Sequence, residues 1–274
     1  MITGYLGCGR VETVGAQVSG FAPGDPVFYT RTRMPEPYEV NWMGAHVSRA
    51  LLKPGPQAPY VLKLPEAVYG PGATMLGLAA VSYRGTQMMS VNVLDTALVT
   101  GQGMIGQPAA QILRARGARV MTADMMPLRV GLSAKWSADE AVNVAERDLV
   151  QAAKEFAPCG FDLVVDTSGS NAVVNQIYPL MHPRGQLLLQ GWYPGDISFD
   201  FQLLHQYRPT IHVSCSQSLD DTIAALDLVN LDRLHLDPLV SHVIPYRQAP
   251  EAYQNLLEAG QEQFLGVTID WRAS

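Results

Sequence analysis

The stretch DTALVTGQGMIGQPAAQILRARGARVMTAD, from Asp95 to Asp124, constrains this chain more than any other. It reads as strand, glycine turn, helix, second strand and a closing acid. Around it, TALVT (96–100), ARVMTAD (118–124), EAVNV (140–144), FDLVVDTS (161–168) and GQLLLQGW (185–192) read as strands. They are continuous apolar runs, as expected for strands covered on both faces. Helical segments are expected between them, near 104–116, 127–135, 146–157 and 171–182. A further strand-like run, TIHVSC (210–215), precedes the helical DDTIAALDLVN (220–230). Strand and helix taking turns predict an α/β fold with a doubly wound parallel sheet.

The two ends read differently. Residues 1–64 are rich in Gly and Pro, with short β runs such as GRVETVG and DPVFYT. They resemble part of a small β-barrel or sandwich. SHVIPY and FLGVTIDW near the C-terminus are again strand-like, with the helical PEAYQNLLEAG between them. The expected organisation is an α/β domain over 70–233 and a β-rich domain built from 1–69 and 234–274.

Gly101, Gly103 and Gly106 form G-x-G-x-x-G. The spacing alone is weak, because glycine is common in turns. Its context is stronger: strand before, helix after, second strand next, acid at its end. Gly101 permits the tight turn, Gly103 leaves room for a pyrophosphate, and Gly106 lets the helix pack close to the strand. With Gln102, Met104 and Ile105 between them, they make a candidate cofactor-binding loop. The helix N-terminus behind it directs N–H groups and a partial positive charge at phosphates. Ile105, Ala109, Ile112 and Leu113 mark its apolar face, and Gly117 stands at the C-terminal cap position. Pro108 lies deep enough to bend that helix or to shift its start.

Asp124 falls 23 residues beyond Gly101. An acid there can accept both ribose hydroxyls of an adenosine and would repel a 2′-phosphate. NAD is therefore expected over NADP. Arg129 pulls the other way, since a guanidinium tolerates a phosphate. Ser168, Gly169 and Gly191 lie at the carboxyl ends of later strands, where ligands of open α/β sheets bind; ordinary turn chemistry is the alternative.

Composition excludes more than it assigns. Net charge is −6 with no basic tract, so no nucleic-acid partner is expected. No apolar run reaches membrane-spanning length and no signal-peptide pattern opens the chain. Cys8, Cys159 and Cys215 form no Cys-x-x-Cys pair, so neither a closed zinc site nor a disulfide framework is expected. A cytoplasmic protein is the expectation.

In order and spacing, several blocks together resemble the medium-chain dehydrogenase/reductases, the superfamily of zinc-type alcohol, polyol and threonine dehydrogenases. GYLGCGRVETVGAQVSGFAPGDPVFY (4–29) resembles its early barrel signature, and YVLKLPEAV (60–68) its entry to the cofactor domain. VTGQGMIGQ resembles its cofactor turn, VVDTSGS its fourth-strand turn, and APEAYQNLLEAGQEQFLGVTIDW (249–271) its ending. GWYPGDISFDF (191–201) is more loosely similar to a branch that includes bacteriochlorophyllide hydroxyethyl dehydrogenases. The resemblance implies that the β-rich ends form a partial GroES-like domain. It also implies preceding residues with the first barrel strands and a zinc-binding cysteine, so the chain is expected to be a fragment or to hold an incomplete barrel. A homodimer joined through the sheet edge near 210–215 is a further implication.

The zinc ligands of that family are not matched. Tyr5 and Leu6 stand where the resemblance implies a histidine and a glutamate, and MLGLAAVSY (75–83) offers no later ligand. A catalytic zinc takes three such ligands with one position open. Cys8 and His46 are the soft candidates nearby, so no metal is expected. Hydride transfer then needs other groups to handle the proton and the developing alkoxide. Tyr5 could donate to a carbonyl oxygen, with a barrel-core tyrosine as the alternative. His46 could shuttle a proton, or could be a loop histidine with no role. Tyr83 fits packing in a helix. Tyr193, Trp42 and Trp192 could wall a bulky substrate.

Function therefore reads as NAD(H)-dependent hydride transfer to or from a small-molecule alcohol or carbonyl, without zinc. A zinc-free NADPH-dependent quinone or enone reductase is one alternative. A truncated protein that binds dinucleotide without turnover is another. A methyltransferase using S-adenosylmethionine is disfavoured by the glycine spacing and the β-rich C-terminal return.

Overall fold

The computed structural model describes residues 4–30, 32, 44–55, 60–258 and 264–272; Trp42 lies outside them. The chain divides into two compact units. The first holds residues 1–77, 217–230 and 236–274, and the second 78–216 with 231–235.

The first unit begins with β1 (Gly7–Arg10), β2 (Pro26–Tyr29) and β3 (Val61–Lys63), an antiparallel sheet in that order. Phe28 on β2 is fully buried, as Val27 and Tyr29 nearly are. The chain then runs through α1 (Leu76–Gln87) into the second unit.

That second unit is a six-stranded sheet. It comprises β4 (Thr96–Thr100), β5 (Arg119–Asp124), β6 (Glu140–Asn143), β7 (Phe161–Asp166), β8 (Met181–Leu189) and β9 (Thr210–Val213). Their order is β6-β5-β4-β7-β8-β9, and every pairing is parallel. This is the doubly wound order, with strand sequence reversing beside β4. Its helices are α2 (Gly106–Ala115), α3 (Pro127–Trp136), α4 (Leu149–Phe156), α5 (Asn171–Ile177) and α6 (Phe201–Tyr207).

Successive strand residues point to opposite faces, and here both faces are covered. Ala97, Val99, Leu163 and Val165 pack with Ala109, Ala110 and Leu113 of α2. Leu98 and Val164 pack with Ala152, Ala153 and Phe156 of α4 and with Val174 and Ile177 of α5. Double coverage is why these strands read as unbroken apolar runs.

Several elements differ from the sequence reading, among them α4, which starts at Leu149 and not 146, and β8, which runs Met181–Leu189 and not 185–192. α2 starts at Gly106, two residues later than expected, so Pro108 falls in its first turn, where no intrahelical N–H bond is lost. The helix expected over 171–182 stops at Ile177. Pro179 has no N–H to continue the α-helical bonds, so a single 3-10 turn over Tyr178–Leu180 follows, and the chain is already β8 by Met181. α6 was not expected; Asp200 caps it by accepting from the Gln202 and Leu203 amides.

The chain returns to the first unit through α7 (Leu219–Asn230) and closes with β10 (Val240–Pro245), α8 (Ala249–Glu258) and β11 (Gly266–Asp270). β10 and β11 pair in parallel. Tyr60, 1% exposed, ties α7 to this unit through its hydroxyl, 2.5 Å from Thr222 Oγ1.

Candidate functional site

The glycine turn leaves β4 at the point where strand order reverses. Gly101 has φ +80°, and a Cβ there would lie 2.7 Å from the Ser168 amide nitrogen. A Cβ on Gly106 would strike the Gly101 carbonyl oxygen and Thr167 Oγ1. Gly103 is the contrast: nothing lies within 4 Å of where its Cβ would be. Two glycines are thus fixed by packing, and the middle one faces open space. The Thr167 hydroxyl donates to the Gly101 carbonyl at 2.7 Å, fastening β7 to the turn.

α2 follows at once. Ile105 occupies its N-cap and gives no side-chain cap, so no side chain competes there for the first-turn N–H groups. At the far end Gly117, φ +97°, donates to Arg114 and Ala118 donates to Leu113. That pair of bonds is the Schellman ending. The cradle is therefore a helix N-terminus beneath a glycine with room above it, the arrangement that suits a phosphate anion.

Asp124 ends β5 and is 8% exposed. One carboxylate oxygen accepts the Gln102 amide at 2.6 Å, and the other accepts the Met126 amide at 2.8 Å. Each oxygen keeps a lone pair for a further donor. Arg129 Nη1 lies 3.9 Å from the same carboxylate, and the buried Arg129 Nε has no hydrogen-bond partner among the described residues. Gln102 is fully buried, donating to the Val99 carbonyl and accepting from Ser133.

Sequence reasoning missed a hub beside the turn. Asp166, the last residue of β7, is fully buried. Its carboxylate accepts from Thr100 Oγ1 at 2.6 Å, from Ser168 Oγ at 2.8 Å and from the Tyr193 hydroxyl at 2.5 Å. Burial, and then the Asp166 charge, drives the Tyr193 phenol far above its ordinary range, so it stays protonated as a donor. A Cβ on Gly169 would lie 2.6 Å from the Trp192 carbonyl oxygen, and one on Gly191 would lie 2.6 Å from the Gly169 nitrogen. Ser168, Gly169 and Gly191 therefore sit where two strand-end loops pack backbone to backbone. An acid closing an apolar strand was the available signal.

The remaining candidates lie in the first unit. Gly4, φ +105°, packs so closely on His46 that a Cβ would strike its ring, and the Ala45 amide donates to the Gly4 carbonyl. This crossing puts Tyr5 and His46 on adjoining segments. His46 Nδ1 lies 3.1 Å from the Tyr253 hydroxyl, and burial pushes the imidazole below its usual 6.5. Burial pushes the Cys8 thiol up to about 12. Among the described residues, no three His, Cys, Asp or Glu side chains form a group that could hold a metal ion. Nor is any described helix long and apolar enough to cross a membrane.

Residues 105–230 match the family model described as zinc-binding dehydrogenase. An L-threonine 3-dehydrogenase of Anaeromyxobacter sp. (strain Fw109-5) is 27% identical over 99% of this chain and 82% of its own length. Another, from Anaeromyxobacter dehalogenans (strain 2CP-C), is 32% identical over 73% of this chain, which spans 62% of that relative. A putative zinc-binding dehydrogenase from Sinorhizobium meliloti 1021, bound to NADP, superimposes with TM-score 0.80 at 20% identity, covering 96% of this chain and 81% of that one. A short chain alcohol dehydrogenase from Escherichia coli CFT073, complexed with NADH, gives TM-score 0.78 at 20% identity, covering 95% and 81%.

Proposed function

We propose that this chain, whose residues 105–230 match the zinc-binding dehydrogenase family model, is an NAD(H)-dependent oxidoreductase acting on an alcohol or carbonyl substrate without zinc. The observation that carries this reading is the open space at Gly103 over the first turn of α2, with Asp124 at the end of the neighbouring strand. When bound, a nicotinamide dinucleotide supplies the hydride chemistry. Gly101, Gln102, Gly103, Met104, Ile105 and Gly106 form its pyrophosphate cradle. Asp124 uses its spare lone pairs on the ribose hydroxyls, and its charge disfavours a 2′-phosphate. Ser168, Gly169 and Gly191 line the crevice further along the sheet.

The zinc-free part rests on the donor set. Tyr5 and Leu6 supply no metal-binding pair, and Cys8 and His46 are two soft side chains where a catalytic zinc takes three protein ligands. We assign proton handling to Tyr5 and His46. The His46 ring is neutral near pH 7 and so able to take a proton. The Tyr5 hydroxyl is a donor suited to a carbonyl oxygen. On the same reading the β-rich ends form a partial GroES-like domain, and the protein is cytoplasmic. It pairs as a homodimer across β9, the outer strand of the sheet order, where Val213 is 69% exposed.

One observation favours a second reading. Arg129, with its unpartnered buried Nε beside Asp124, suits a 2′-phosphate and hence an NADPH-dependent quinone or enone reductase. Titration with NADH and NADPH, followed by assays on alcohol, carbonyl and enone panels after chelator dialysis and metal analysis, separates the two. Tighter NADH binding with metal-independent alcohol or carbonyl turnover supports the first reading. Tighter NADPH binding with enone reduction supports the second.

A further inference from the structure

Trp192 stands out on the surface of the second unit. It follows β8 and is 89% exposed, although a tryptophan is ordinarily among the most buried side chains. Its backbone is held firmly. The Trp192 carbonyl packs on Gly169, and Gly191 packs on the Gly169 amide. The next residue, Tyr193, is tied to the buried Asp166, and the Asn171 side-chain Nδ2 donates to the Asp196 carbonyl at 2.7 Å. A loop fastened on both sides of one residue, with that residue's ring left in water, is arranged to present the ring.

What it is presented to follows from topology. A doubly wound sheet binds a dinucleotide as two mononucleotide halves on either side of the switch point. The half containing β5 ends in Asp124 and takes the adenosine. The half containing β7 and β8 takes the other nucleotide. Trp192 belongs to this second half, and a run of close backbone contacts connects it to the glycine turn: Gly101 on Ser168, then Gly169 on Trp192. The planar group that a nicotinamide dinucleotide carries on that side is the nicotinamide ring.

We propose that Trp192 is the stacking surface for the nicotinamide ring, making it a determinant of affinity for the nicotinamide half of the cofactor. This rests on the dinucleotide reading above and goes beyond it by naming the group that meets the reactive ring. The indole offers a large rigid face at low entropic cost, and a solvent-exposed ring gains by being covered.

The test compares NADH with ADP-ribose, which lacks the nicotinamide, on the wild-type chain and on Trp192→Ala and Trp192→Phe. Substitution of so exposed a side chain leaves the fold intact, checked by circular dichroism. Stacking on one aromatic ring corresponds to about a tenfold change in affinity. NADH affinity is expected to fall by about that factor in Trp192→Ala and to recover in large part in Trp192→Phe, with ADP-ribose affinity unchanged in both. Equal NADH affinity in all three proteins, with ADP-ribose still bound, overturns the proposal and leaves the dinucleotide reading standing. The proposal is also overturned if Trp192→Ala loses only substrate affinity, because the ring then serves the substrate. If the wild-type chain binds none of NADH, NADPH and ADP-ribose, the dinucleotide reading fails and this inference fails with it.

Discussion

Two short stretches of this chain carry three glycines in nearly mirrored spacing, and they build different things. GQGMIG (101–106) has its glycines at positions one, three and six, and GYLGCG (4–9) at one, four and six. Each has one glycine with positive φ against a neighbouring segment, Gly101 on Ser168 and Gly4 on His46. Each has one packed under another group, Gly106 under the Gly101 carbonyl and Gly7 under the Tyr29 ring. Each has one facing open space, Gly103 and Gly9. Only the flanking structure differs. The first stretch leaves a central parallel strand and enters a helix, so its open glycine stands at a helix N-terminus. The second runs into β1, an antiparallel strand that holds Gly7 and Gly9 and leads into no helix. A glycine pattern makes room; the element that follows decides what the room can hold.

The largest expected effect tests the packed glycines. Gly106→Ala drives a methyl into the Gly101 carbonyl, a backbone atom that cannot yield. It should cost about 3 kcal/mol, the upper range for overpacking, and abolish dinucleotide binding. Gly4→Ala meets both positive φ and the His46 ring and should destabilise comparably. Denaturant unfolding of the two variants checks this. A Gly106→Ala protein with unchanged midpoint would show that the turn is looser than described.

A smaller effect sharpens the reading of the first unit. Burial lowers the folded pKa of His46 below its unfolded value of about 6.5. Between those two values the unfolded chain binds more protons, so stability is complete above 6.5 and declines as pH falls below it. His46→Gln should therefore gain on the wild type as pH is lowered, read from parallel unfolding curves at acid and neutral pH. Parallel curves would mean His46 is not buried against protonation. The smallest effect is on the thiols. Cys159 and Cys215 are exposed, whereas Cys8 is only partly exposed and desolvation raises its thiol pKa. Alkylation with iodoacetamide at pH 8 should modify two sites quickly and Cys8 slowly; fast modification at Cys8, mapped by mass spectrometry, would contradict its placement.

What was legible in the sequence follows from range. The glycine turn, the α2 ending at Gly117 and the acid at Asp124 are local patterns, readable because each residue acts on neighbours in the same βαβ unit. The parallel sheet was legible because strands buried on both faces leave apolar runs. The Asp166 hub was not, since Thr100 and Tyr193 reach it from the ends of two other strands. α6 hid behind GWYPGD, where turn residues masked the Asp200 cap. The buried role of Gln102 was invisible because its partners, Val99 and Ser133, lie on β4 and α3.

The contrast between the two glycine stretches is tested most directly by calorimetric titration of NADH into the wild type, Gly103→Ala and Gly9→Ala. Both substitutions place a methyl in open space, so neither should move the unfolding midpoint. Gly103→Ala should weaken NADH by about tenfold or more, because its methyl occupies the pyrophosphate approach, while Gly9→Ala should bind as the wild type does. Equal affinity in all three proteins, or no binding of NADH or NADPH by the wild type, would contradict the assignment of the 101–106 turn.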